Sequence, residues 1–184
     1  DETSQVLAGM GDGAQRLAAR AGTIRSSAEL FGSRSFFDGD HLSRSCGAML
    51  GILGNAAEEY LGVGYPADEH GEPFDGATSA YEITFHPGDE PPVGAFWSIT
   101  LYDAERFLYD HPLGRHVVND RTLATIEPGP DGGRTIHVSH HAPDPDQLAG
   151  WLPCPATPFT LTFRTYLPAE AIRTGSWTAP PVHR

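Results

Sequence analysis

Two segments bring titratable and aromatic side chains close together: residues 96–103 (FWSITLYD) and residues 140–155 (HHAPDPDQLAGWLPCP). Histidine is the first group to weigh. His137, His140 and His141 crowd the end of one β-rich run. At ~3.3 Å per residue, His137 and His141 share a strand face but stand about 13 Å apart. Two ligands of one zinc ion each lie ~2 Å from it, so this spacing makes a poor metal site. Ile136, Val138 and His140 fall on one face, and His137, Ser139 and His141 on the other. The apolar pair marks the inner face, which points His140 inward. A neutral imidazole at the mouth of a β framework suits a general acid or base. The alternative is a core histidine bonded to the backbone.

The other chemical groups are fewer. The run ending in Tyr102 puts Phe96, Ser98, Thr100 and Tyr102 on one face, and Trp97, Ile99 and Leu101 on the other. Trp97 beside two aliphatics fits a core, and it also fits the wall of a pocket. Tyr102 is a phenol donor, and Asp103 suits a turn cap. Arg164 sits in an otherwise apolar run, TLTFRTY. A buried arginine needs a partner, and Glu58, Glu59, Asp103 and Asp120 are the acidic candidates. Arg121 and Arg164 would also anchor an anionic substrate group. Glu58 and Glu59 are adjacent and do not face each other, which weakens them as paired carboxylates.

Some chemistry is excluded. All twelve basic residues are arginine, so no lysine Schiff base is available. No GxSxG elbow, HExxH, CxxC or phosphate-binding P-loop is present. The GMGDG run lacks both a preceding strand and a following GK[ST]. Cys46 reads as a small core residue and Cys154 as a loop thiol, both free in a reducing compartment. A net charge of −12 argues against nucleic acid and anionic membranes as partners. No apolar run approaches the ~20 residues that span a bilayer, and the start does not read as a signal peptide. The reading is therefore cytoplasmic.

The elements that must position these groups follow from periodicity. Ser4 reads as the cap of a helix over residues 5–20. Asp40 caps a second helix in which Leu42, Cys46, Met49, Leu50, Leu53 and Ala57 recur at helical spacing, ended by Asn55 and the Glu58–Glu59 pair. Gly47, Gly51 and Gly54 on one face would admit a close neighbour. After Tyr60 the period changes to two. Turn signals then separate β-rich runs at 81–85, 95–102, 116–118, 135–140 and 159–166. A last helical turn falls at 168–173, stopped by Gly175, and the tail reads as extended. At 184 residues this is one core: a mostly β (α+β), antiparallel sandwich in a single domain, with a helical segment at 1–58 packing on 59–184.

Several stretches resemble the bacterial family called "domain of unknown function 1214". They are Asp40-x-Leu42-x-Arg44, Gly54-Asn55 with Glu58-Glu59, and Asp75-Gly76. There follow residues 91–103 (PPVGAFWSITLYD), Pro112-Leu113-x-Arg115, Asp120-Arg121-Thr122 and His140. The last are Trp151-Leu152-Pro153-x-Pro155, Leu161-x-Phe163-Arg164-x-Tyr166 and Trp177. The resemblance covers roughly residues 36–184 and implies a jelly-roll-like sandwich with some helix. The family often follows a partner called "domain of unknown function 1254", and the resemblance without that partner leads to the expectation of a stand-alone, short version. Two positions depart from the family pattern: Gly150 where Asn is common, and Cys154 where Ala is common.

These residues point to a cofactor-independent acid–base enzyme of the isomerase, cyclase or lyase type. Its substrate would be a small, partly apolar organic molecule, and bacterial secondary metabolism is one setting for it. His140, Tyr102 and Arg121 are the expected catalytic groups. Trp97, Trp151, Arg164, Glu59 and Asn55 are the expected substrate contacts, with no metal. The alternative is a non-catalytic module binding a carbohydrate or lipid-like ligand on exposed tryptophans. A third reading is a subunit that needs a separate partner, which an exposed apolar helix face would favour. A homodimer is compatible with all three.

The histidine spacing predicts that natively purified protein carries no stoichiometric metal. Elemental analysis finding one equivalent of zinc, iron or manganese would overturn that expectation.

Overall fold

The computed structural model describes residues 1–65 and 67–184. It divides into two compact units, Asp1–Leu61 and Gly62–Arg184. The first is helical. Helix α1 (Glu2–Ala21) starts earlier than Ser4 suggested, because the Asp1 carboxylate accepts the Ser4 N–H at 2.8 Å and caps it. A four-residue helix, α2 (Arg34–Phe37), precedes α3 (His41–Gly51). Asp40 caps α3 as read. The Ser43 N–H bonded to its carboxylate is the largest influence holding that carboxyl below its ordinary pKa.

Helix α3 ends at Gly51, and its buried residues are Ser43, Cys46 and Gly47. Met49, Leu50 and Leu53, expected on the apolar face, are exposed. The glycines explain the shift. A Cβ on Gly47 would fall 2.8 Å from the Leu30 carbonyl oxygen, and one on Gly54 would fall 2.3 Å from the Phe31 ring. Phe31 thus packs along the glycine face, and the larger apolar residues turn elsewhere. Across the unit, Arg20 donates to Ser43 Oγ at 2.9 Å and pairs with Glu29 at 3.6 Å.

From β1 onward the chain builds two sheets. Strands β1 (Tyr60–Tyr65), β7 (Phe159–Tyr166), β3 (Trp97–Asp103) and β4 (Val117–Asn119) form one, in that order. Strand β3 is antiparallel to both β7 and β4. Strands β2 (Tyr81–Phe85), β5 (Arg134–Ser139) and β6 (Trp151–Pro153) form the other. β2 and β5 are antiparallel, but β5 and β6 run parallel, so the all-antiparallel expectation is corrected. The loop over residues 140–150 carries the chain back so that Trp151 stands beside His137, midway along β5, as parallel pairing requires. Two short helices, α4 (Asp120–Leu123) and α5 (Glu170–Thr174), complete the unit, and Gly175 ends α5 at φ 77°.

Alternation buries one face of each strand in a common core. Trp97, Ile99 and Leu101 of β3 meet Phe159, Leu161 and Phe163 of β7, and Ile83, Phe85, Ile136 and Val138 close the core from the other sheet. The class is α+β, with N-terminal helices and two sheets around one apolar cluster. The tail is extended as read. His183 exchanges backbone hydrogen bonds with Glu82, and Arg184 Nε lies 2.9 Å from the shielded Asp68 carboxylate.

Trp97 is fully buried and stacks on Phe85, with ring centroids 4.9 Å apart. Trp97→Ala should destabilise the protein by about 3–5 kcal/mol in a urea melt. A loss under ~1 kcal/mol would show that the site collapses without a cavity.

Candidate functional site

An open cleft of about 420 Å3 lies along the edge of the three-stranded sheet. One wall is the turn at residues 76–80 leading into β2. The other is the end of β5 and the loop after it. Its polar lining includes Glu82, His137, Ser139, His140, His141 and Gln147.

Strand pairing builds the first half of the site. Glu82 of β2 stands opposite His137 of β5 in register. His137 Nδ1 lies 3.1 Å from Glu82 Oε1, with the histidine side chain 15% exposed and the glutamate 56% exposed. The bonds from His183 to the Glu82 backbone tie this part of β2 to the tail. A carboxylate at Nδ1 favours the tautomer with its proton there, which leaves Nε2 as the basic nitrogen.

The second half comes from the parallel strand. The Cys154 N–H donates to the Ser139 carbonyl at 3.1 Å, which draws residue 154 beside the end of β5. His140 Nδ1 then lies 3.0 Å from the Cys154 carbonyl oxygen. A carbonyl only accepts, so neutral His140 carries its proton on Nδ1 and leaves Nε2 open. Its ring meets His141 edge-on at 4.8 Å. Among the described residues, neither His137 Nε2 nor His140 Nε2 has a hydrogen-bond partner. Two imidazoles with Nδ1 held and Nε2 open thus line one cleft.

The floor is tight. A Cβ on Gly76 would fall 2.1 Å from the Pro155 carbonyl oxygen and 2.6 Å from Cys154 Sγ. Asp75-Gly76 is therefore a close backbone crossing as well as a turn. Cys154 is fully buried, and burial pushes its thiol up to about 12, so it is a poor nucleophile at neutral pH. Cys46 and Cys154 are both free thiols.

The expected site residues separate. His140 lines the cleft. Its expected inward direction is partly met, since Ile136 and Val138 are fully buried while His140, just past β5, is half-buried. Tyr102 and Arg164 are brought together on the outer face of the four-stranded sheet, 2.7 Å apart, and neither lines the cleft. Among the described residues Arg164 has no carboxylate within ion-pair distance, so its expected acidic partner is replaced by the Tyr102 hydroxyl. Arg121 is exposed on α4, away from the cleft lining. Trp97 is core. Trp151 is also buried, and its indole N–H donates to the Ser139 carbonyl at 3.1 Å. Asn55 and Glu59 are exposed in the first unit.

Glu82 and Gln147 are polar cleft residues that the sequence reading missed, and His137 and Ser139 were set aside with their outward face. The signal for His137 and Glu82 lay in the register of β2 on β5, which two runs separated by fifty residues do not disclose. Arg115 was visible only as part of the family motif. It holds the loop after β5 by donating to the Leu148 carbonyl at 2.6 Å and the Trp151 carbonyl at 2.9 Å.

Comparison with known proteins gives a family and no activity. A family model described as "Protein of unknown function (DUF1214)" matches residues 60–170, and the chain belongs to that family. No curated protein matches it. The crystal structure of the VPA0106 protein from Vibrio parahaemolyticus is similar, with a TM-score of 0.72 and 27% identity over 95% of this chain. This chain spans 43% of that protein. An uncharacterised protein from Burkholderia cenocepacia matches at a TM-score of 0.36 and 17% identity, over 67% of this chain and 28% of its own.

The crossing at Gly76 generates a direct test. Gly76→Ala should force residues 75–76 away from residues 154–155 and destabilise by about 1–3 kcal/mol, as overpacking does. An unchanged denaturation midpoint would show that the crossing yields freely.

Proposed function

We propose that this DUF1214 chain performs acid–base chemistry on a small, partly apolar organic molecule held in the cleft beside β5. One observation carries the reading. His137 and His140 both line the cleft, with Nδ1 held by Glu82 and by the Cys154 carbonyl respectively and with no hydrogen-bond partner at Nε2 among the described residues. His137 acts as the general base, and Glu82 supplies a counter-charge when the imidazole takes up a proton. His140, three residues along, acts as the second proton-transfer group. Isomerisation, cyclisation, elimination and hydration can all use such a pair as acid and base. The proposal takes the reaction as free of cofactor and metal, and the protein as cytoplasmic. It also takes the two sheets as a jelly-roll-like sandwich, which the common core supports.

The alternative of a carbohydrate or lipid-like binding module loses support from the tryptophans. Trp97 and Trp151 are 2% and 5% exposed and offer no flat platform. Dependence on a separate partner has an observation in its favour. Val6, Leu7 and Met10 on α1, and Ile52 and Leu53 after α3, are 57–88% exposed. We treat such a partner as compatible with catalysis in the cleft.

A thermal-shift screen of small neutral and aromatic molecules supplies a ligand, and NMR in deuterated water then reads proton exchange into it. His137→Gln and His140→Gln should each lower the exchange rate by ~10²–10⁴-fold with the fold intact. Glu82→Gln should lower it by a smaller factor, and His141→Ala should matter least. Full activity in both His137→Gln and His140→Gln would sink the proposal.

A further inference from the structure

Arg164 and Tyr102 form a polar pair that the histidine cleft does not use. Both stand on the outer face of the four-stranded sheet, opposite the core, and both are half-buried. Arg164 Nη2 donates to Tyr102 Oη at 2.7 Å, and Arg164 Cζ lies 5.4 Å from the centroid of the tyrosine ring. In register, Arg164 faces Ser98 and Tyr102 faces Thr160. Those positions are four residues apart on β7, or ~13 Å along the strand. The two long side chains therefore lean toward each other over the intervening Thr100–Thr162 pair. Ser98 and Thr100 on this face are 7% exposed, which is unusual shielding for hydroxyl side chains on the side away from the core.

Charge makes this pair informative. Strand β7 lies between β1 and β3, so Arg164 is an interior-strand cation. Among the described residues no carboxylate lies within ion-pair distance of it, although the chain has 24 acidic residues against 12 basic ones. The tyrosine hydroxyl and ring offset part of the desolvation of the guanidinium but supply no negative charge. A guanidinium carries five N–H donors in a planar fork, and the hydroxyl engages one nitrogen. The rest of the fork has the geometry for an oxyanion.

We propose that Arg164 and Tyr102 form a binding site for a carboxylate, separate from the cleft and independent of the reaction proposed there. The guanidinium fork holds the two carboxylate oxygens, and the tyrosine hydroxyl fixes the fork along the strand. A monoanion fits better than phosphate for two reasons. One cation balances one negative charge, and a net charge of −12 disfavours approach of a dianion. Arginine-rich phosphate sites add several cations or a row of free backbone N–H groups. Here β7 is flanked by a strand on each side, and such ladders occupy its amides.

Benzoate is the probe, with sulfate at matched ionic strength as the control. In wild-type protein, benzoate should shift the Arg164 Nε–H resonance in a saturable manner, and sulfate should not. Arg164→Gln should weaken benzoate binding by ~10-fold or more. Tyr102→Phe keeps the ring but removes the hydroxyl that fixes the fork, and should weaken benzoate binding by a smaller factor than Arg164→Gln does. Arg121→Gln, at an exposed arginine, should bind benzoate as the wild type does. An Arg164 resonance unmoved by saturating benzoate overturns the proposal, and so does a response that sulfate reproduces. Undiminished binding by folded Arg164→Gln overturns it as well. The wild-type titration stands even if that variant fails to fold.

Discussion

The stacking of Trp97 on Phe85 is the contact on which the rest of the second unit depends. Trp97 belongs to β3 in one sheet and Phe85 to β2 in the other, so this pair ties the two sheets, as Tyr81 of β2 and Phe159 of β7 do at 5.7 Å. Phe163 extends it through β7, 5.9 Å from Trp97, and Trp177 stacks on Phe163 in turn at 5.8 Å. Once Trp97 faces inward, the two-residue period fixes every other side chain on β3, and the register carries that parity to β4 and β7. Tyr102 and Arg164 must then stand on the outside. The same parity, applied from Ile83 and Ile136, puts Glu82 and His137 outside on the other sheet. Neither polar pair chose its face locally; both were assigned it by the apolar residues between them.

That dependence explains which features were legible. The runs at 81–85 and 159–166 read correctly to the residue, because each alternates cleanly and is bounded by turn residues. β1 was missed because two glycines dilute YLGVGY, and β6 because three residues ending in proline carry no periodicity. Parallel pairing of β6 with β5 has no local signature, since it depends on where a loop returns. The glycine face of α3 was visible as a place for close packing, and Phe31 fills it. That the larger apolar residues would consequently be exposed was not visible, because periodicity shows a stripe and not which edge of it is covered. At the site, face parity set His140 apart from His137 and Ser139, yet all three line one cleft because His140 lies just past β5, and the Glu82–His137 pair needed the register. For Arg164, an acidic partner was the electrostatic expectation. A phenol sixty-two residues away satisfied the geometry without satisfying the charge.

Backbone proximity shapes the cleft as much as side chains do. Gly76 lets the turn before β2 press on residues 154–155, and Gly150 does the same at the other end of the loop. A Cβ on Gly150 would fall 2.5 Å from the Thr135 carbonyl oxygen. With no side chain at Gly150, the backbone there comes against β5. Arg115 holds the approach by taking the carbonyls on either side of Gly150, those of Leu148 and Trp151. Those contacts fix the start of β6, and β6 fixes Cys154, whose carbonyl orients His140. The imidazole is therefore held at the end of a chain of backbone contacts, and a substitution at Gly150 would reach it without touching the cleft.

The two polar features differ in how they handle charge, and that difference argues against one combined site. In the cleft, His137 faces a carboxylate and His140 faces a carbonyl, so protons can move there while the surroundings stay neutral or negative. The reaction proposed for the cleft accordingly takes a neutral molecule whose bonds are polarised by proton transfer. It offers an anionic ligand no arginine among the described lining residues. On the outer face of the other sheet, Arg164 keeps a fixed positive charge beside groups that only donate or accept hydrogen bonds. That environment suits a held anion and provides no base. The sequence had joined these residues because they were its few polar groups within apolar runs. Parity separates them, since each sheet expels its own polar pair to its own outer face.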